Sequence, residues 1–238
     1  MFSPGTVAGL LAPALALLAG AFLAQQFKPN RYVRSGLQHL AAGIIVAAVA
    51  VDLVPPMVDG SEVIAVFMGF VLGVSLVMFV RVRFQDRDEE RRNGGLGLSR
   101  LLTVGIDLLV DGLLVGVAMV IANGAGAMLS IAISIEVLAL GLALGSSCRG
   151  KRQGRRLLRI MLCLAACLLG AGVLGILLGS SLEGPYRAGL IAFGCAALLY
   201  LVVEDLLVEA HQTGESTFGS IQFFVGFGIG ILLAILEH

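Results

Sequence analysis

The sequence predicts an all-α integral membrane protein, a single bundle of eight transmembrane helices. Three observations support this fold class. The chain is 58% hydrophobic and only 13% charged, with a mean hydropathy of +0.98, so it has too little polar material to cover a soluble globule of 238 residues. Its apolar residues form continuous runs, and its basic residues cluster in alternate gaps between those runs.

Each predicted helix is an apolar run of about 20 residues, the length needed to cross the hydrocarbon core. Because the runs are continuous, they argue against a β-barrel, which needs shorter strands of alternating polarity. We take residues 1–238 as one transmembrane domain. The eight runs are residues 5–26, 34–56, 62–80, 101–122, 126–147, 157–180, 186–208 and 217–236.

The basic residues predict the orientation. Fifteen of the sixteen Lys and Arg residues lie in three alternate gaps, and Arg187 is the exception. Lys and Arg concentrate on the cytoplasmic side of membrane proteins, so both termini are expected outside the cytoplasm. The expected location is a cell membrane crossed several times, taken to be a bacterial inner membrane. The clustered residues are Lys28, Arg31, Arg34, Arg81, Arg83, Arg87, Arg91, Arg92, Arg100, Arg149, Lys151, Arg152, Arg155, Arg156 and Arg159.

Several functional classes are disfavoured. Topology accounts for the arginine clusters and the net charge is zero, so no nucleic-acid partner is expected. The chain has no Gly-x4-Gly-Lys-Ser/Thr motif for ATP and no His-Glu-x2-His motif of a metal hydrolase. We therefore expect neither an enzyme nor a prosthetic group. Cys163 and Cys167 share a helix face, which leaves a soft-metal or redox role as a minor alternative.

Three acids inside the predicted membrane spans are the main functional signal. Asp107 and Asp111 are four residues apart, so both project from one face of the fourth helix. Glu136 lies near the middle of the fifth helix, which a short connection makes an antiparallel neighbour. Each such acid costs about 2.5 to 3.5 kcal/mol on insertion scales. Three acids in one helical hairpin therefore need a compensating partner.

No basic side chain is expected at the depth of these acids, so the partner is a bound cation, a proton, water or a mixture of these. Two carboxylates one turn apart in a poorly hydrated site do not both ionise easily, which couples cation binding to proton release. The alternative is that all three acids are protonated and hydrogen-bonded as contacts between helices. A metal site formed by Asp107, Asp111 and Glu136 is the preferred interpretation.

Acids near helix ends are candidates for a transport pathway. Asp52 lies near the outer end of the second helix, before Pro55 and Pro56, which are expected to end that helix. Asp205, Glu209 and His211 lie near the cytoplasmic end of the seventh helix, although solvated helix ends explain such residues equally well. His39 is expected to be a satisfied polar residue rather than a ligand.

Small residues predict close helix packing beside the acids. Gly112 and Gly116 have the small-x3-small spacing that lets membrane helices approach closely. Because Gly112 directly follows Asp111, it would also let a neighbouring helix or a hydrated ion come near that carboxylate.

The chain resembles the ZIP (Zrt-, Irt-like) family of divalent-metal transporters over nearly its whole length. Residues 107–112 match that family's His-Asn-x-Pro-Glu-Gly motif, with Asp111 and Gly112 as the Glu-Gly pair and Asp107 in place of the His. Residues 52–55 are similar to the family's His-Leu-Leu-Pro, and residues 205–209 to its Asp-x-x-Pro-Glu. The Asn and Pro of the main motif, and the His residues of the fifth helix, are absent.

The resemblance implies a ZIP-like fold and a secondary transporter in which helices 4 and 5 carry a divalent cation as substrate. It favours Zn or Fe, whereas an oxygen-only site suits harder ions such as Mg, Mn or Ca. The expected partners are the lipid bilayer, the metal ion and protons, with a homodimer left open. The alternatives are a proton-coupled carrier of another solute, and a non-transporting ZIP-like membrane protein with a degenerate metal site.

Overall fold

A computed structural model describes residues 4–27, 31–59, 62–89, 98–121, 125–147, 154–206 and 217–237. All of these residues except Phe27, Glu62, Leu182 and Glu183 lie in helices. The main helices are α1 (Pro4–Gln26), α2 (Arg31–Ala48), α3 (Val63–Glu89), α4 (Leu98–Ile121), α5 (Ala125–Ser147), α6 (Gly154–Ser181), α7 (Gly184–Leu201) and α8 (Thr217–Glu237).

The predicted class, an all-α protein that crosses the membrane several times, is confirmed. Within the described ranges, seven helices are long and apolar enough to cross a membrane. They correspond to α1, α2, α4, α5, α6, α7 and α8. In α3 the apolar stretch among the described residues covers 63–79, and charged residues occur from Arg81 to the end of the helix at Glu89.

Two helices continue through a π-helical turn, which the sequence did not lead us to expect. α2 runs into the π segment Val49–Leu53 and then into a short helix, Val54–Asp59. The prediction that Pro55 and Pro56 end this helix is therefore wrong. The N–H of Val54 bonds the carbonyl of Val49, five residues back, and a proline is tolerated in the first turn of the helix that follows.

The second π segment, Val202–Leu206, continues α7. The two π segments read Val-Ala-Val-Asp-Leu and Val-Val-Glu-Asp-Leu, so Asp52 and Asp205 occupy the same position in each. Each segment also contacts the other's helix, the first packing against α7 and the second against α2. α2 and α7 therefore share a π turn, and each helix contacts the π turn of the other.

Helix packing follows this equivalence throughout the bundle. The most extensive pairs are α1 with α5, α4 with α6, α2 with α8, and α3 with α7. Exchanging α1 for α6, α2 for α7, α3 for α8 and α4 for α5 converts each of these pairs into another pair of the set. The chain therefore contains two copies of a three-helix unit, α1–α3 and α6–α8, with α4 and α5 as a central pair.

Individual glycine contacts reproduce the exchange around the central pair. A methyl group at Gly112 of α4 would collide with the carbonyl oxygen of Leu168 in α6. A methyl group at Gly141 of α5 would collide with the carbonyl oxygen of Leu17 in α1. Only glycine permits these backbone approaches.

The outer pairs show the same correspondence. Gly73 of α3 lies against the carbonyl oxygen of Phe193 in α7, and Gly226 of α8 lies against that of Leu40 in α2. Gly73 and Gly226 are as far apart in the chain as Leu40 and Phe193. One register therefore relates both pairs of helices.

The two copies are not packed identically against the central pair. α2 packs extensively on α5, whereas the equivalent helices α7 and α4 touch only slightly. Where α4 does approach α7, Leu114 lies against Gly194. The two repeated units therefore differ in one contact: the α2–α5 interface is packed and the equivalent α7–α4 interface is loose.

Candidate functional site

The three membrane-span acids lie on the central pair of helices. Asp111 is almost completely buried, with 1% of its surface exposed, whereas Asp107 and Glu136 are half-buried. Asp111 interacts electrostatically with Asp107, and Glu136 interacts with both. Because like charges repel strongly in a poorly hydrated interior, this arrangement disfavours full ionisation of all three carboxyls unless a positive charge is present.

Two carboxylate oxygens at this place need a partner. Asp111 Oδ1 and Glu136 Oε2 are buried and accept no hydrogen bond within the described part of the chain. A buried acceptor left without a hydrogen bond costs about 1 to 3 kcal/mol. The two oxygens belong to α4 and α5, which are neighbouring helices.

The donor set is made only of oxygen, and it is not a closed cage. Among the residues described, no group of three or more His, Cys, Asp and Glu side chains is arranged to hold a metal ion. Zinc in structural sites takes four closely placed N, S or O ligands. Mg²⁺, in contrast, keeps several waters and binds through one or two carboxylates.

Backbone packing fixes the depth of α4 beside the acids. Gly112 and Gly116 lie against the carbonyl oxygens of Leu168 and Gly172 in α6, with no room for a side chain. The neighbour that approaches next to Asp111 is therefore the α6 backbone. This contact holds the acid-bearing turn of α4 in a defined position.

The central pair also repeats in sequence, which sequence analysis missed. Residues 106–116 read Ile-Asp-Leu-Leu-Val-Asp-Gly-Leu-Leu-Val-Gly, and residues 135–145 read Ile-Glu-Val-Leu-Ala-Leu-Gly-Leu-Ala-Leu-Gly. Asp107 therefore corresponds to Glu136. Asp111 has no acidic counterpart, because Leu140 stands at the equivalent position. The matching glycine spacing of the two segments was visible in the sequence, but the repeat was recognised only from the helix packing.

The other predicted pathway residues belong to the two π segments or to the chain beyond the second one. Asp52 is half-buried in the first π segment, and Asp205 lies in the second. Glu209 and His211 lie outside the described residues. Asp52 and Asp205 are thus related to each other by the repeat.

His39 and the cysteines lie elsewhere in the bundle. The Nδ1 atom of His39 is 2.9 Å from the carbonyl oxygen of Ser35, one turn earlier on α2, and the ring is buried against Gly219 of α8. A structural role for His39 fits this environment. Cys163 is exposed and Cys167 half-buried on α6, whereas Cys195 is buried in α7.

Two comparisons with known proteins bear on the ZIP resemblance. No family model matches the chain, and no curated protein matches it either. Membership of the ZIP family therefore stays an expectation drawn from the motif residues on α4.

Proposed function

We propose that this protein is a secondary transporter that moves a divalent cation across the membrane through the carboxyl groups of Asp107, Asp111 and Glu136. The observation that carries the proposal is that two buried oxygens on neighbouring helices, Asp111 Oδ1 and Glu136 Oε2, have no hydrogen-bond partner among the described residues. A site with this much uncompensated acid is costly to keep in a membrane.

Neither helix of the central pair supplies a positive side chain near the acids. No Lys, Arg or His occurs between Arg100 and Arg149, a stretch that contains nearly all of α4 and the whole of α5. A positive charge between these helices is therefore a proton or a bound cation. Ligating carboxylates must be deprotonated, so cation binding here releases protons.

The chemistry favours a hard ion that keeps part of its water shell. All three acids supply oxygen, and the described residues contain no ready three-ligand group. Ions such as Mg²⁺ or Mn²⁺ fit this donor set by ligand hardness. Zn²⁺ or Fe²⁺ would instead fit the ZIP resemblance, and measurements of ion flux distinguish these ions from Mg²⁺ and Mn²⁺. We also propose kinship with the ZIP family, because Asp111 and Gly112 match the Glu-Gly pair of that family's motif.

The internal repeat supports transport over a static role. Secondary transporters are commonly built from repeats, with the ion site at the repeat interface near the bilayer midplane. If all eight helices cross the membrane with both termini outside the cytoplasm, the unit α6–α8 is inverted relative to α1–α3. If the α2–α5 interface then loosened while the loose α4–α7 interface became packed, the bundle would open on the opposite side of the membrane.

The repeat also suggests a route to the central acids. Asp52 and Asp205 lie in equivalent π segments, and π turns inside α-helices are frequent at functional sites. In the proposed orientation Asp52 is near the outer surface and Asp205 near the cytoplasm. We assign them as ion-attracting groups at the two ends of the pathway, followed on the cytoplasmic side by Glu209 and His211.

Ion flux into proteoliposomes tests the proposal. Purified protein should accelerate uptake of Mn²⁺, Mg²⁺, Zn²⁺ or Fe²⁺ in a pH-dependent manner, and Asp111→Asn should abolish that uptake. Glu183→Gln is the matched control, because Glu183 is an exposed acid before α7 and the change should leave flux intact. Unchanged flux in Asp111→Asn would refute the assignment.

A proton-coupled carrier of another solute is the second candidate. The observation in its favour is that the described acids do not form a three-ligand metal group. Proton transfer needs no such group, because a single carboxyl binds and releases one proton. In that case transport would follow the pH gradient even after every divalent ion is chelated. The metal assignment predicts that chelation stops transport.

A further inference from the structure

We propose that one end of α6 binds an anionic phospholipid, with Arg155 and Arg159 contacting its headgroup phosphate and the apolar face of the helix contacting an acyl chain. This inference is independent of what the bundle transports. It concerns the first turns of α6, and Asp107, Asp111 and Glu136 lie on other helices.

Within the described part of the chain, no acid pairs with the arginines at this end of α6. Arg155, Arg156 and Arg159 are all exposed, and no Asp or Glu occurs anywhere between Glu136 and Glu183. The other arginine-rich stretch, residues 81–100, is different because four acids are interleaved with its bases. A positive-inside bias requires only an excess of bases, so it does not explain why one stretch lacks acids altogether.

The same face continues as an apolar surface. Arg155, Leu158, Arg159 and Leu162 follow the i, i+3, i+4, i+7 spacing that places side chains on one side of a helix. Leu158 is 56% exposed and Leu162 is 50% exposed. Two guanidinium groups therefore lie at the helix end, and large apolar side chains lie directly along the helix from them.

This order of groups matches a phospholipid. Guanidinium groups bind phosphate oxygens through paired hydrogen bonds, and basic residues beside a membrane span are attracted to anionic lipids. The Arg159 Nε donates to the carbonyl oxygen of Arg155 at 3.4 Å, which holds that side chain beside the helix end. The exposed leucines face the hydrocarbon, where an acyl chain of the same lipid molecule would lie.

Lipid binding to the purified full chain provides the test. Native mass spectrometry would compare phosphatidylglycerol with phosphatidylcholine on wild type and on the double variant Arg155→Gln with Arg159→Gln. We expect wild type to prefer phosphatidylglycerol. The double variant should bind it about thirtyfold more weakly, a factor equivalent to about 2 kcal/mol for two arginines near an anionic surface.

Two further variants separate the explanations. Arg83→Gln with Arg87→Gln removes the same charge from the acid-interleaved stretch and should retain the preference. Arg155→Lys with Arg159→Lys keeps the charge but loses the paired hydrogen bonds, so intermediate binding is expected. The proposal is overturned if wild type does not discriminate between the lipids, or if the Arg155/Arg159 glutamine variant binds like wild type. It is also overturned if inorganic phosphate displaces the lipid, or if a second copy of the chain covers this face and excludes it.

Discussion

Replacing Asp111 by leucine should separate the stability of the bundle from its capacity to bind ions. Leu140 stands at the repeat-equivalent position of α5, so the bundle already accommodates leucine in this helical context. Asp111 is 1% exposed, and its Oδ1 atom has no partner within the described residues. The substitution removes both a buried acceptor and a carboxylate from the proposed cation site.

The structure sets the expected magnitudes. Removing an unsatisfied buried acceptor should stabilise the ion-free protein by about 1 to 3 kcal/mol, which raises the melting temperature by roughly 2 to 12 °C for a chain of this length. In wild type, a divalent ion at about 100 times its Kd should add about 2.7 kcal/mol. The variant should gain nothing from the ion.

Thermal unfolding in detergent, with chelator and then with excess Mn²⁺ or Mg²⁺, measures both effects. Asp111→Asn is the isosteric control, which should lose the ion response without the full gain in ion-free stability. Glu183→Gln should behave like wild type throughout. Asp111 is not an ion ligand if Asp111→Leu responds to the ion as wild type does, and its buried oxygen is not destabilising if the ion-free variant is markedly less stable.

Three further outcomes are expected. Gly141→Leu should destabilise the bundle by at least about 1 to 3 kcal/mol through overpacking against the α1 backbone, whereas Gly170→Leu, which has open space around it, should have little effect in the same unfolding assay. Ser130→Ala should cost about 0.6 to 1.7 kcal/mol, because its hydroxyl donates to a carbonyl of α1 at 2.6 Å; Ser180→Ala, an exposed intrahelical bond, should cost less. Asp52→Asn should slow ion flux into proteoliposomes while equilibrium ion binding persists. Loss of ion binding would instead indicate that Asp52 is a ligand of the central site.

Hydropathy predicted most of the fold because the bilayer requires long apolar helices with internally satisfied backbones. The predicted spans match the described helices closely except at α3 and at the end of α2. In α2 the error came from reading Pro55 and Pro56 as a stop. A π turn changes the hydrogen-bond register before the prolines, and local propensity carries no signal for that change.

The three acids were selected from the sequence, whereas the helix packing around them was not predicted. Burial cost alone identified Asp107, Asp111 and Glu136, because an acid in a membrane span is expensive wherever the helices pack. The internal repeat was not predicted, since few residues match between its copies. Its evidence is the correspondence of backbone contacts, such as those of Gly112 and Gly141, which depends on how helices distant in sequence come together.

The most direct test of the central claim is equilibrium binding of Mn²⁺ to purified protein, followed by electron paramagnetic resonance. Wild type is predicted to bind the ion saturably and to release it when the pH is lowered. The double variant Asp111→Asn with Glu136→Gln is predicted to bind none. Equal binding by wild type and the double variant, or no binding by either, would contradict the claim that these carboxyls are neutralised by a cation from outside the chain.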